Sequence, residues 1–316
     1  MNRAMPGSPR RIVLLIVCLF ACGLLLRADA TAGLKKINDT ELYCRVIGKG
    51  EPLVIVHGGP GLGHDYLFSP FQPLAERFRL IFFDQRGCGR SVALAEGTTL
   101  TMDQLVADLD SVRLAYGLER MNLVGQSWGA LIACEYTVKY PRRVRSLLLL
   151  EPAPGSSAYL ASFQKTIMDR LSTAEKEELS ALTQSEEFKQ GAPQAFKRFM
   201  AIRNRAYYFD PQFIPEDPFA YFDAERVKKF FASSQAVQEY LLNFDIYEKV
   251  TAITCPTLII HGLADPVPAE AMRRLHVAIP QSVLHLVKEC GHYVHIEKPN
   301  LYLMLINFFM NSVLNR

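Results

Sequence analysis

Short, largely apolar runs alternate with stretches of helical periodicity along most of this chain. Six runs have the length and composition of buried strands: residues 53–56, 80–83, 121–125, 146–150, 256–262 and 283–287. Runs that are apolar on both faces are typical of strands in a parallel sheet that helices cover on both sides. The pattern therefore predicts an α/β architecture.

Two further strand-like segments, residues 33–37 and 41–47, precede this alternation, so the run that ends at residue 150 is the sixth strand. From Pro152 to about Asn243 the chain is instead helical and rich in aromatic residues. We therefore predict an α/β core in two segments and a helical cap inserted after the sixth strand (residues 31–152, 246–316 and 153–245, respectively).

The first thirty residues have the pattern of an export signal. Arg10 and Arg11 precede an uncharged apolar stretch, residues 12–26, and residues 28–30 provide a small-residue cleavage site. A stretch of about fifteen residues is shorter than the roughly twenty that span a bilayer. We expect residues 1–30 to be a cleaved signal peptide, with an N-terminal membrane anchor through residues 12–26 as the alternative. The protein is then periplasmic or secreted, or anchored to the membrane.

Charge argues against a nucleic-acid partner. The chain has 35 Lys and Arg against 32 Asp and Glu, a net charge of +3. Four arginines and one aspartate lie in the export segment, which leaves 31 residues of each sign elsewhere. A neutral remainder has no electrostatic footprint for a polyanion.

The cysteines indicate no metal site and no cofactor. Two of the seven lie in the export segment, and the other five show no CxxC or other metal-ligand spacing. Cys88 and Cys290 fall in loops expected near the active site, and the sequence does not decide whether they form a disulfide.

The pentapeptide Gly-Gln-Ser-Trp-Gly at residues 125–129 indicates a nucleophilic serine. It follows an apolar strand and precedes a helical stretch that Pro141 ends. A tight strand-to-helix turn lifts the serine above the sheet, and flanking glycines leave room for its strained backbone. We therefore predict that Ser127 is the nucleophile.

A serine needs a base to take its proton and an acid to orient that base. Both are expected after later strands, in the order serine, acid, histidine. Asp265 follows the run at 256–262, and His292 follows the run at 283–287. Asp265 and His292 are the predicted acid and base, with Glu151, after the sixth strand, and His295 as the rivals.

The tetrahedral intermediate of acyl transfer needs backbone N–H donors. One donor is expected from Trp128, directly after the nucleophile, and the other from Gly59 in the glycine-rich segment 57–61. The predicted substrate contacts are Gly58, Glu151 and the cap residue Tyr208.

Together these segments resemble the α/β-hydrolase superfamily, and most closely its proline iminopeptidase branch of serine aminopeptidases. The resemblance rests on HGGPG, DQRGCGRS, GQSWG, GLAD and GHYVHIEKP (residues 57–61, 84–91, 125–129, 262–265 and 291–299). It implies an α/β-hydrolase fold, with helices on both faces of a mostly parallel sheet and a helical cap over the active site.

The resemblance also implies that carboxylates of the cap hold the free amino group of a peptide. The tryptophan-rich stretch of that branch has no counterpart in the cap, since the single tryptophan is Trp128. The candidate amine ligands are the acidic residues of the second half of the cap: Glu216, Asp217, Asp223, Glu225 and Glu239.

The sequence thus predicts a metal-free serine hydrolase that acts through an acyl-enzyme. The first expectation is an aminopeptidase that releases N-terminal residues, proline first, from small peptides. A carboxylic ester hydrolase or lactonase acting on small apolar acyl substrates is the alternative, and a non-catalytic binding protein of the same fold is the alternative of another class. The expected partner is a small molecule or a short peptide, and the oligomeric state is left open.

Overall fold

The computed structural model describes residues 31–315, and its central element is an eight-stranded sheet. The strands are β1 (Thr31–Ile37), β2 (Thr40–Ile47), β3 (Glu51–Val56), β4 (Phe78–Phe83), β5 (Met121–Gln126), β6 (Val144–Leu150), β7 (Thr257–Gly262) and β8 (Ser282–Val287). The predicted signal peptide or anchor, residues 1–30, lies outside the described residues.

The sheet is mostly parallel. Its strands lie in the order β1-β2-β4-β3-β5-β6-β7-β8. The pairs β1–β2 and β2–β4 are antiparallel, whereas the five other neighbouring pairs are parallel. This arrangement confirms the predicted fold class.

Helices supply the crossovers that parallel strands require. The described residues form α1 (Asp65–Phe71), α2 (Met102–Ala115), α3 (Trp128–Lys139), α4 (Leu160–Asp169), α5 (Thr173–Gln184), α6 (Glu186–Lys189), α7 (Pro193–Arg205), α8 (Ala224–Ala236), α9 (Gln238–Leu242), α10 (Ala269–Ala278), α11 (Val294–Glu297) and α12 (Pro299–Leu314). Six of them, α4 to α9, lie between β6 and β7.

The side chains of β3 show why the inner strands are apolar throughout. Val54 and Val56 pack into one core cluster with α2, α3 and α10, whereas Leu53 and Ile55 pack into another with α1 and α12. Successive side chains of a strand point to opposite faces, so a sheet covered on both sides needs apolar residues at every position. Burying each such side chain contributes roughly 1.5–3 kcal/mol.

The segment between β6 and β7 has small cores of its own. One cluster joins α4, α5 and α7, and the other joins α7 to α8 and the loop before it; their buried members are Ile167, Leu171, Leu179, Ile202 and Ala206, and Phe196, Phe219, Phe222 and Val227. Because side chains of this segment also cover the cavity at Ser127, we call residues 153–245 the cap.

Three further features bear on the sequence predictions. No helix within residues 31–315 has the length and apolar character needed to cross a bilayer. Cys88 and Cys290 are buried free thiols, so the disulfide that the sequence left open is not formed. The same residues contain no group of three side chains placed to hold a metal ion.

Candidate active site

Ser127 lies at the sharp turn between β5 and α3. Its φ of 51° falls in the left-handed region, which residues other than glycine seldom occupy. The flanking glycines make the turn feasible: a Cβ on Gly125 would lie 2.6 Å from Cα of Ala130, and one on Gly129 would lie 2.5 Å from the His57 carbonyl oxygen. Backbone strain of this kind costs on the order of 1–3 kcal/mol and is concentrated at functional positions.

Backbone hydrogen bonds hold this turn against the neighbouring strand. The Ser127 N–H donates to the Leu150 carbonyl at 3.0 Å, and the Ser127 carbonyl accepts from Ala130 at 2.9 Å and from Ala153 at 3.1 Å. Leu150 ends β6, and Ala153 lies three residues further on. Both the N–H and the carbonyl of Ser127 are therefore held by hydrogen bonds.

The structure brings Asp265 and His292 together. Asp265 lies in the turn after β7, and His292 lies in the loop after β8. The Nδ1 atom of His292 is 2.6 Å from Oδ2 of Asp265, a short distance that fits a hydrogen bond from the imidazole to a carboxylate. His292 also lines the same cavity as Ser127.

Asp265 is held as a carboxylate although it is fully buried. Its Oδ1 atom accepts from the Val267 N–H at 2.8 Å, and its Oδ2 atom lies 3.5 Å from Nδ1 of His261. Burial by itself raises the pKa of Asp265, but the charges of His292 and His261 and these hydrogen bonds hold that pKa below its usual value. Asp265 therefore stays ionised beside the imidazole.

The rival acid and base form a second pair beneath the site. Nδ1 of His295 lies 4.0 Å from Oε2 of Glu151, and both side chains are fully buried. Burial, followed by the charge of Asp265, raises the pKa of Glu151 well above its usual value. Burial, followed by the charge of His292, lowers the pKa of His295 to about 3. Burial therefore disfavours the charged form of both members, and neither member lines the cavity.

The glycine-rich loop after β3 passes next to the serine. Gly59 lines the cavity with a φ of 55°. The Gly58 N–H donates to the Tyr66 hydroxyl at 2.7 Å, and that hydroxyl donates to Oε1 of Gln126 at 2.6 Å. A Cβ on Gly58 would lie 2.9 Å from Cβ of Ser127. Gly58 is thus a close-packing position whose N–H is already used, whereas Gly59 is the residue that faces the cavity.

Trp128 opens α3, so its N–H belongs to the first turn, whose amides have no partner within the helix. Its indole Nε1 donates to Oε1 of Gln85 at 3.0 Å, and the indole packs edge-on against Tyr240. The side chain is therefore fixed away from the nucleophile, while the main chain stays beside it.

The loop that carries His292 is bound to the cap by its backbone. The His292 N–H donates to the Tyr207 carbonyl at 2.7 Å. The Glu297 carboxylate accepts from Gly291 at 2.7 Å, from Phe209 at 2.9 Å and from Asp210 at 3.1 Å. Glu297 thus joins the histidine loop and the cap segment that crosses it.

The cavity at Ser127 has a volume of about 720 Å³ and a mainly apolar wall. Its wall combines core residues with aromatic side chains of the cap, which include Phe163, Phe188, Phe199, Tyr207, Phe230, Phe231 and Phe244. Among the described residues that line it there is no Asp or Glu, and Arg203 is the one Lys or Arg.

Several predicted contacts lie elsewhere. The five candidate amine ligands of the cap are solvent-exposed and do not line the cavity. Tyr208 lines a separate surface groove, and Tyr207 stands in the cavity wall instead, with its ring centroid 5.3 Å from that of His292. Glu151 is buried behind the wall.

Sequence reasoning missed Tyr66, Gln126, Arg203 and Tyr207 on the cavity wall and Glu297 behind it. For two of them a signal was present. Gln126 lies inside the serine pentapeptide, and Glu297 lies inside the segment 291–299 that carries the resemblance. Arg203 and Tyr207 lie in or just after α7, and only the packing of that helix determines which of its side chains face the cavity.

Comparison with known proteins identifies the class. The family model of the alpha/beta hydrolase fold matches residues 51–299. This chain belongs to that family, and it is an α/β-hydrolase enzyme.

The chain is similar to curated proline iminopeptidases. The proline iminopeptidase of Heyndrickxia coagulans is 29% identical over 271 residues, which cover 84% of this chain and 92% of the relative. The proline iminopeptidase of Saccharolobus solfataricus is 26% identical over 294 residues, which cover 89% of this chain and 92% of the relative. The chain is therefore similar to proline iminopeptidases, as the sequence motifs predicted.

Solved structures support the fold. The proline iminopeptidase of Mycobacterium smegmatis superposes with a TM-score of 0.70 at 22% identity and covers 90% of this chain. VinJ superposes with a TM-score of 0.73 at 21% identity over the same share. Each match spans 99% of the solved chain.

Proposed function

We propose that this enzyme hydrolyses small carboxylic esters through an acyl-enzyme formed on Ser127. The observation that carries the proposal is the cavity itself, which contains Ser127 and His292 and has an apolar wall without acidic side chains. The hydrogen bond from His292 to Asp265 supplies the orienting acid.

In the proposed mechanism, Oγ of Ser127 attacks the ester carbonyl carbon while Nε2 of His292 takes the hydroxyl proton. Asp265 holds the other ring nitrogen protonated. The resulting imidazolium then donates its proton to the departing alcohol, which leaves an ester on Ser127. Water attacks that ester, gives its proton to His292, and releases the carboxylic acid as Ser127 regains its proton.

The negative oxygen of each tetrahedral intermediate needs N–H donors. We assign these to Gly59 and Trp128, because Gly59 lines the cavity and the Trp128 amide lies at the N-terminus of α3. The helix N-terminus adds a favourable partial positive charge. Gly58 is not assigned, because its N–H already donates to Tyr66.

An ester is favoured over a peptide with a free amino group because of charge. Placing an unpaired ammonium in an apolar cavity costs several kcal/mol, and no carboxylate lines this cavity to offset that cost. The positive charge of Arg203 adds repulsion. An apolar acyl group has no such requirement, and the aromatic wall suits it.

Aminopeptidase activity is the second candidate function. It is favoured by the curated relatives, which carry the name proline iminopeptidase at 29% and 26% identity. If this candidate is correct, the amine is bound without the acidic cap residues that the resemblance implied, because all five are exposed.

Labelling with a fluorophosphonate probe tests the nucleophile. Wild-type protein should form one covalent adduct, located at Ser127 by peptide mass spectrometry. Ser127→Ala should abolish it, while Ser162→Ala, which changes an exposed serine of the cap, should retain it. Absence of any wild-type adduct would favour the non-catalytic alternative, and an adduct on another residue would refute the assignment.

Three substrates separate ester hydrolysis from aminopeptidase activity: 4-nitrophenyl hexanoate, proline 4-nitroanilide and N-acetylproline 4-nitroanilide. We expect the ester to have the largest kcat/KM, and the two anilides to differ little. A true aminopeptidase would instead prefer the free prolyl anilide over the acetylated one, since only the former carries an ammonium.

We also propose that residues 1–30 export the protein and that residues 153–245 act as a separate cap. The charge and apolar pattern of the first segment supports export. N-terminal sequencing of protein isolated from cell fractions distinguishes a cleaved signal from an anchor.

A further inference from the structure

Arg203 is the one residue with a permanent charge among the described residues that line the active-site cavity. It lies in the last turn of α7, and its side chain is half-buried. An arginine keeps its charge under all physiological conditions. The cavity therefore combines an apolar wall with one fixed cation.

Three other arginines of the cap have carboxylate partners, whereas Arg170 donates to the Ala206 carbonyl. Arg198 binds Glu178, Arg205 lies 3.2 Å from Glu175, and Arg226 lies 3.5 Å from Asp65. Within residues 31–315, Arg203 forms no such ion pair; its Nη2 donates to Oε1 of Gln164 at 3.3 Å, and its guanidinium lies 5.5 Å from the centre of the Phe199 ring.

The polar groups beside Arg203 are also mainly donors. Gln164 and Asn204 line the same part of the cavity wall. Oε1 of Gln164 is used by Arg203, and Oδ1 of Asn204 accepts from the Tyr293 hydroxyl at 2.6 Å. Apart from a contact between Asn204 and the Tyr208 hydroxyl, what the two amides have left to offer a ligand is their NH₂ groups. One guanidinium and two amide NH₂ groups match an anion with several acceptor oxygens.

The cation lies close to the reaction centre. Tyr207 follows Arg203 in the turn after α7, and its ring contacts the His292 ring. Arg203, Tyr207, His292 and Ser127 line the same cavity, so an anion on Arg203 would share that cavity with an ester at Ser127.

We propose that Arg203, together with Gln164 and Asn204, binds a carboxylate on the substrate, so that the enzyme acts on small carboxylate-bearing esters. This inference rests on the proposed serine hydrolase function and specifies its substrate class. It reverses the charge preference implied by the resemblance, in which the cap binds an ammonium.

Two matched ester pairs test the proposal. Mono-4-nitrophenyl adipate is compared with 4-nitrophenyl hexanoate, which places the carboxylate on the acyl side. The hexanoyl ester of 4-hydroxybenzoate is compared with that of 4-hydroxybenzamide, which places it on the alcohol side. We expect the anionic member of one pair to have a kcat/KM about 10- to 100-fold higher than its neutral partner. The pair that responds shows which side faces Arg203.

The readout for each variant is the ratio of kcat/KM for the two members of a pair, because a general loss of catalysis cancels in it. Arg203→Met should bring the ratio to about one or below, and Arg203→Lys should retain part of it, since lysine lacks the bidentate fork. Arg205→Met is the matched control, because Arg205 is exposed on the same helix and pairs with Glu175; its ratio should equal that of the wild type.

Two outcomes overturn the proposal: a wild-type preference for the neutral member of both pairs, or a ratio that Arg203→Met leaves unchanged. A binding measurement tests the anion site at Arg203 independently of ester hydrolysis. Ser127→Ala protein should bind 4-(hexanoylamino)benzoate or N-phenyladipamate at least tenfold more tightly than the matching carboxamide in calorimetry, and adding Arg203→Met should remove the difference. Equal binding of both members of each pair contradicts the anion site, whereas tight anion binding without ester turnover contradicts only the proposed hydrolysis.

Discussion

Two histidine–carboxylate pairs lie near each other in this molecule, and the pKa values of their carboxyl groups are shifted in opposite directions. His292 and Asp265 are 2.6 Å apart, and the pKa of Asp265 is held below its usual value. His295 and Glu151 are 4.0 Å apart; the pKa of Glu151 is raised, and that of His295 is lowered to about 3. Asp265 therefore stays ionised, whereas burial disfavours the charged forms of Glu151 and His295.

Burial does not explain this difference, because both carboxyl groups are fully buried. Their surroundings do. The charges of His292 and His261 lower the pKa of Asp265, and hydrogen bonds from the His292 ring and the Val267 N–H lower it further. Neither oxygen of Glu151 makes a hydrogen bond of good geometry to a described residue, and the charge of Asp265 raises its pKa. A buried carboxyl group keeps its charge only when opposite charges and donors replace the lost water. These neighbours therefore identify the acid of the proposed triad better than burial does.

The largest expected effect comes from exchanging each carboxyl for an amide. Asp265→Asn should lower kcat on 4-nitrophenyl hexanoate by about 10⁴-fold, because an amide stabilises the wrong tautomer of the His292 ring. Glu151→Gln should change kcat less than about threefold, since Glu151 does not line the cavity and its raised pKa favours the uncharged form that an amide of the same shape resembles. Steady-state kinetics of both variants measures this. A loss in Glu151→Gln as large as that in Asp265→Asn would make Glu151 the acid.

A smaller effect is expected in the pH dependence of stability. The pKa of His295 is lowered in the folded protein, so between pH 6.5 and about 3 the unfolded protein binds a proton at this residue that the folded protein does not. The stability present above pH 6.5 is therefore lost as the pH falls towards 3. His295→Phe should remove this loss, which amounts to up to roughly 4–5 kcal/mol at 1.36 kcal/mol per pH unit. The free energy of unfolding by urea, measured from pH 7 to pH 3, tests it.

Glu151 supplies the control of opposite sign. Its raised pKa stabilises the folded protein below about pH 4.5, the usual value for the free side chain, and that contribution is lost as pH rises through the raised value. Glu151→Gln should therefore gain stability relative to the wild type as pH rises above 4.5. If the free energy of unfolding of the wild type, His295→Phe and Glu151→Gln changed with pH in the same way, the pKa shifts of His295 and Glu151 would be contradicted.

The smallest of these effects is expected at Glu297, a positioning residue that sets where His292 stands. Glu297→Gln keeps one acceptor oxygen and turns an NH₂ group towards N–H donors, so we expect kcat to fall about tenfold, in line with the loss of one or two charge-assisted hydrogen bonds. The pH–rate profile should shift as well, because the imidazole is held less firmly. Glu289→Gln, at an exposed position of the same loop, is the control, and equal behaviour of the two variants would rule out the positioning role.

The sequence predicted the three residues of the proposed triad because each apolar run shows where a strand ends. Ser127, Asp265 and His292 each follow such a run, and the carboxyl ends of parallel strands meet at one edge of the sheet. The need for glycine on both sides of Ser127 was also predictable, since a Cβ there would clash with the neighbouring backbone. Their catalytic roles stay predictions until the labelling experiment is done.

The cap was predictable only as a helical segment. Tyr207 and Tyr208 are adjacent in sequence, and only the turn after α7 decides that Tyr207 lines the cavity while Tyr208 faces a surface groove. The acidic residues of the cap were possible ligands, but the sequence favoured solvated helix faces, and all five are exposed in the structure. The raised pKa of Glu151 could not be predicted, because it depends on how distant segments bury this side chain.

Hydrogen bonds tie the position of His292 to that of residues 207–210. The Tyr207 carbonyl accepts from the main chain of His292, and the Glu297 carboxylate accepts from Phe209 and Asp210 as well as from Gly291 of the same loop. A displacement of this cap segment would therefore also displace the proposed general base, so substitutions at residues 207–210 act on His292 as well as on the cavity wall.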